Sequence, residues 1–237
     1  MGEHIVKSYE SELAALDRNV GQMGGLAEQL LGQAFEALEE RNPDLAAIAV
    51  ASDALIDDLQ HKLEEQVVVM IARRQPMAND LRQILAVLKV AGDLERIGDL
   101  SKNIAKRANA ISGVNHPKPL ITGLRHMYEL AAGGLKGALD AYAARDDKKA
   151  VEIWNEDQQI DALYNSLFRE LLTYMMEDPR NIGICTHLLF AAKNIERIGD
   201  HTTNIAETVH FLAKGTTLNE QRPKDDNTSS TLIQDKS

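Results

Sequence analysis

Apolar residues recur at steps of three and four along the chain's first forty positions, through Leu13, Leu16, Val20, Met23, Leu26, Leu30, Ala34 and Leu38. That spacing marks one face of an amphipathic helix and predicts a helix over 8–41. Gly21, Gly24 and Gly25 interrupt it; each costs about 1 kcal/mol relative to Ala, which points to a bend or a close contact there. Asn42 as a cap and Pro43 in a first turn begin a second helix carrying Leu45, Ile48, Ile56, Leu59, Leu63 and Met70, stopped at 73–76. A third helix is predicted over 77–111. Gly113, Pro117 and Pro119 then form the one interior stretch with strong linker character, followed by helices over 121–145, 147–177 and 179–214. Residues 215–237 are polar and aperiodic and read as a disordered tail.

The second half repeats the first. A shift of 104 places Met23, Leu26, Leu31, Ala34 and Arg41 on Met127, Leu130, Leu135, Ala138 and Arg145. The same shift places Asp53, Ile56, Asp57 and Leu59 on Asp157, Ile160, Asp161 and Leu163. A shift of 101 superposes Glu95-Arg96-Ile97-Gly98-Asp99 on Glu196-Arg197-Ile198-Gly199-Asp200, and Asn103-Ile104-Ala105 on Asn204-Ile205-Ala206. Matched positions on three successive helices make each half a structural unit. The predicted fold is all-α, two tandem homologous three-helix bundles built from six long helices, with units over 1–114 and 115–214 and the tail over 215–237.

Composition agrees. Only 4% of the 237 residues are aromatic and six are proline, as when helix formers fill a chain. A formal charge of -10 repels nucleic acid and anionic lipid at long range, so neither is an expected partner. The single cysteine, Cys185, leaves no disulfide framework and suits a reducing, cytoplasmic setting. The N-terminus lacks the apolar stretch of a secretory signal. Apolar runs such as 67–72 fall far short of the ~20 residues of a membrane span, so membrane contact is expected only through partners.

The repeated polar signature is the candidate for chemistry. Steps of four put Glu95, Asp99 and Asn103 in a sector about 80° wide on an ideal helix, away from Leu94, Ile97 and Ile104. Glu196, Asp200 and Asn204 repeat this. Like charges one turn apart and a glycine between them both weaken a helix, by a few tenths and about 1 kcal/mol. Two readings stay open. In one, the oxygen ligands share a hard cation, as a multinuclear carboxylate cluster does, and Gly98 and Gly199 let a ligand or another backbone come close. In the other, the acids form a solvated face paired locally with Arg96, Lys102 or Lys106. Asp53 with Asp57 and Asp157 with Asp161, also one turn apart, either complete such a site or form a solvated face of their own.

Arg96 and Arg197 suit a phosphate, a partner's acids, or an ion pair to a neighbouring helix. His201 has Leu100 at its matching place and reads as a surface residue; Trp154 and Cys185, opposite Val50 and Ile84, read as core. Glycine-rich phosphate loops and nucleophile elbows are missing from the sequence, and so is the doubled Glu-x-x-His of di-iron bundles, so neither catalysis nor an organic cofactor is expected.

The doubled Glu-Arg-Ile-Gly-Asp followed by Asn-Ile-Ala, in two three-helix halves, resembles the PhoU family over about 5–214. The resemblance implies a PhoU-like fold and a regulator without catalysis. Such a regulator represses the phosphate-starvation response and modulates phosphate uptake, as an adaptor between the ATPase of an ABC phosphate transporter and a sensor histidine kinase. It further implies a homodimer, and zinc or multinuclear iron at Glu95, Asp99, Glu196 and Asp200. The alternative reading of the same acids is a carboxylate-cluster metalloprotein or metalloenzyme. The halves depart from each other after Asn-Ile-Ala, at Lys106 and Glu207, which predicts sites of unlike local charge.

Overall fold

The computed structural model describes residues 2–115 and 118–218, and within these all side chains except those of 2–8 and 157. The first half folds as α1 (Gly2–Glu40), α2 (Pro43–Arg74) and α3 (Asn79–Ile111); the second as α4 (Lys118–Ala144), α5 (Asp147–Glu177) and α6 (Ile182–Lys214). A 3-10 turn, Pro179–Asn181, leads into α6 and shortens the helix expected from 179. The predicted tail lies, over 219–237, outside the described residues.

The first connection in each half is built the same way. Arg41 and Arg145, matched in the repeat, take left-handed backbone angles of φ 57° and 55°, ending α1 and α4. The next residue caps the following helix: Asn42 accepts from the Leu45 amide, and Asp146 from the amides of Lys148 and Lys149. Two residues between helices turn the chain back on itself, so the helices of each half pack side by side.

Each half closes on its own three helices, and the halves meet where α3 packs along α6, with a second contact between α1 and α4. One continuous core runs through both, from Leu30, Val90, Ile97 and Ile104 to Met127, Leu135, Ile195 and Ile205. Each such side chain contributes roughly 1.5–3 kcal/mol on burial. Phe35 and Tyr128 stack across the join with ring centroids 4.3 Å apart. The glycines of α1 leave the helix continuous; at Gly24 a side chain of α4 comes close, since a Cβ there would stand 2.7 Å from Leu139 Cδ2. Of the two expectations for this segment, close contact holds at Gly24, while Gly21 and Gly25 face open space. Among the described residues no helix is long and apolar enough to cross a membrane.

Two acid clusters as the candidate functional site

The motif helices α3 and α6 are the pair that joins the halves, so each acid motif sits between the shared core and the second helix of its own half. In the first half, Asp53 on α2 is buried and faces α3. Gly98 explains the approach: a Cβ there would lie 3.2 Å from Asp53 Oδ1 and 2.9 Å from Ile56 Cδ1. The close neighbour that the glycine admits is α2. Lys102, one turn beyond Asp99, donates from Nζ to Asp99 Oδ1 at 2.5 Å and also to Asp53 Oδ2. One ammonium thereby ties α2 to α3. Burial opposes the charged ammonium, yet the hydrogen bonds it donates to Asp53 and Asp99 hold it above the usual lysine range.

Around this pair the remaining acids are raised. Burial pushes the Glu95 carboxyl up, with the charges of Asp99, Asp57 and Asp53 adding and Arg96 opposing. Asp57 is raised by burial and by Asp53. Arg96 is largely exposed and reaches Glu95 at 3.4 Å and Asp99 at 3.8 Å, a local pair within α3. Asn103 is exposed and stands outside the cluster.

The second half assembles the same acids with a different cation. Glu196 and Asp161 are buried, and Lys193, one turn before Glu196, donates to Glu196 Oε1 at 3.0 Å while its ammonium lies 5.0 Å from the centre of the Tyr164 ring. Burial pushes Glu196 up to about 7; Lys193 opposes the rise, and Asp200 and Asp161 add to it. Asp157 has its side chain outside the described residues. Arg197 is exposed.

Asn204 and His201 face the other half. Asp93 Oδ1 on α3 accepts from Asn204 Nδ2 at 3.2 Å and pairs with His201 Nδ1 at 2.9 Å. His201, expected at the surface, is thus an inter-half contact. Trp154 is buried and donates from its indole to Glu207 Oε1 at 2.9 Å, which accounts for the acid standing where the first half has Lys106. Cys185 is fully buried, as its match with Ile84 predicted.

Sequence reasoning singled out Lys102 only as a local partner and missed Lys193 and Asp93. The three-residue spacing of Lys193 to Glu196 was a readable signal; Asp93, paired across more than one hundred residues, had none.

The geometry bears directly on a metal. Among the described residues no group of three or more His, Cys, Asp and Glu side chains is placed to hold a metal ion. Of the four carboxylates expected to ligate zinc or iron, Asp99 and Glu196 hold lysine ammoniums and Glu95 pairs with Arg96, so the side chains as they stand do not fit one.

A family model described as the PhoU domain matches residues 20–108 and again 124–209. The chain belongs to the PhoU family. Each matched segment of this PhoU-family chain holds one cluster, with Asp53, Glu95, Asp99 and Lys102 in the first and Asp161, Lys193, Glu196 and Asp200 in the second. The chain is 53% identical over 226 residues to the phosphate-specific transport system accessory protein PhoU homolog of Rhizobium meliloti (strain 1021), covering 95% of each chain. Its fold matches the crystal structure of PhoU from Pseudomonas aeruginosa with a TM-score of 0.85 at 36% identity, over 88% of this chain and 100% of that one. It also matches the phosphate transport system regulatory protein PhoU from Streptococcus pneumoniae, with a TM-score of 0.82 at 26% identity, over 90% and 100%.

Proposed function

We propose that this chain is a negative regulator of the phosphate-starvation response and a modulator of phosphate uptake. In this reading it has no catalysis of its own. It is a cytoplasmic adaptor, working as a homodimer between the ATPase subunit of an ABC phosphate transporter and a sensor histidine kinase, and it reaches the membrane only through them. The observation that carries the reading is similarity along 95% of the chain to a protein named as an accessory of phosphate-specific transport. The same fold in a protein named as a regulator of phosphate transport supports it.

The surface supports a protein partner. Ile48, Leu55 and Val69 on α2 are each more than half exposed, where the matching positions of α5 carry Glu152, Gln159 and Thr173. Apolar side chains kept on one half and replaced by polar ones on its duplicate suit a face that is covered in an assembly. A zinc or iron ion at Glu95, Asp99, Glu196 and Asp200 is not required for this role.

The test is transcription of phosphate-uptake genes in phosphate-replete cells after deletion of this gene. Deletion should raise expression several-fold, and the wild-type gene should restore repression. Unchanged expression on deletion would overturn the regulatory reading.

A further inference from the structure

Each acid cluster already contains a cation, and the cation is part of the chain. We propose that Lys102 and Lys193 are the resident counterions of the two clusters, each occupying the place a divalent metal ion would need, so that either half takes up metal only when its own lysine leaves.

The geometry is explicit in the first half. Lys102 Nζ lies 2.5 Å from Asp99 Oδ1 and is bonded as well to Asp53 Oδ2. Hard divalent ions sit about 2.0–2.6 Å from carboxylate oxygens, so an ion bridging these two acids and the ammonium would claim the same volume. The site is built for a cation beyond being acidic. Asp53 is 3% exposed and its Oδ1 has no hydrogen-bond partner among the described residues. Glu196 is 5% exposed and its Oε2 is likewise without one. Buried oxygens of this kind are costly to leave unpaired, and each lies on a carboxylate that a lysine already holds by its other oxygen.

The halves reach this state by different routes. Thr203 stands at the position matching Lys102, and Gly92 at the position matching Lys193. One lysine enters from the C-terminal side of its motif and the other from the N-terminal side, so neither half can borrow the other's solution. The clusters are therefore independent, and exchange of ammonium for metal at one leaves the other in place. This inference is separate from the role in phosphate regulation, and neither stands or falls with the other.

The test compares the wild-type chain with Lys102→Met, Lys193→Met and the double variant, since methionine keeps much of the length but neither pairs with an acid nor ligates a hard ion. Binding of Mn2+ alone is followed by equilibrium dialysis and by the electron paramagnetic signal of the ion. Each single variant should gain one site at least about tenfold tighter than any site of the wild type, and the double variant two. Lys102→Arg, which keeps the charge, should stay metal-poor. Thermal unfolding gives a second readout: Mn2+ should raise the midpoint of the methionine variants and leave the wild type unmoved. A variant that folds only when Mn2+ is added supports the same conclusion. Tight wild-type binding unaffected by either substitution would overturn it, as would methionine variants that neither bind Mn2+ nor gain stability from it.

Discussion

Glu196 holds one oxygen against Lys193 and keeps the other buried without a partner among the described residues. Its carboxyl is raised from 4.5 to about 7, chiefly by burial, so between those values the folded chain binds a proton that the unfolded chain releases. Stability from this group is fully present below about pH 4.5 and is lost as pH rises through about 7. The loss is on the order of 3 kcal/mol. Glu196→Gln removes the ionisation, so denaturant unfolding measured from about pH 5 to pH 8 should lose less stability than the wild type across that span. A variant that keeps the wild-type slope would assign the pH dependence to another group. The motif's position was legible from Glu-Arg-Ile-Gly-Asp alone. Its burial was not, because the packing of α5 over α6 is set by contacts far apart in the chain.

At the scale of helices, Gly98 fixes how near α2 runs to α3. Replacing glycine with alanine inside a helix gains about 1 kcal/mol of propensity, while forcing a methyl into a packed contact costs about 1–3 kcal/mol. The new Cβ would meet Ile56 Cδ1 at 2.9 Å and Asp53 Oδ1 at 3.2 Å, and Asp53 is held by Lys102. Gly98→Ala should therefore destabilise the chain by about 1 kcal/mol, read as a lower urea midpoint. In an Ile56→Val background, which removes Cδ1, the same change should be neutral or stabilising. The helices themselves were readable because the period of their apolar stripes is local. The exceptions fall at ends. The third helix begins at Asn79 rather than 77, after Ala78 takes φ 50°, and a 3-10 turn replaces the first residues of the sixth.

For the whole molecule, Asp17 is one of the acids that bind half to half through polar contacts, beside Asp93. From α1, Asp17 accepts hydrogen bonds from the other half, from Tyr142 Oη at 2.7 Å and Arg145 Nη2 at 2.7 Å, and one from its own half, from Gln83 Nε2 at 2.9 Å. Tyr142 is buried, and burial together with Asp17 raises its hydroxyl above the ordinary tyrosine range. Asp17→Ala strands that hydroxyl and should cost about 1–3 kcal/mol, read from urea unfolding as a lower midpoint with an unchanged slope. A shallower slope would mean that the halves had come apart into separately melting units. The expected single transition follows from one core shared along α3 and α6.

The amino-acid sequence by itself determined six helices, their grouping into two related halves, and the acid motif on the third helix of each. These rest on intervals of three, four and about one hundred residues that can be read along the chain. Tertiary structure alone decided which side of the motif helices is covered, which lysine answers each cluster, and which residues couple the halves. Lys102 reaches Asp53 across 49 residues, Arg145 reaches Asp17 across 128 and Asn204 reaches Asp93 across 111. Such pairs have no period in sequence, because the register between two packed helices is fixed by how all their side chains interdigitate together.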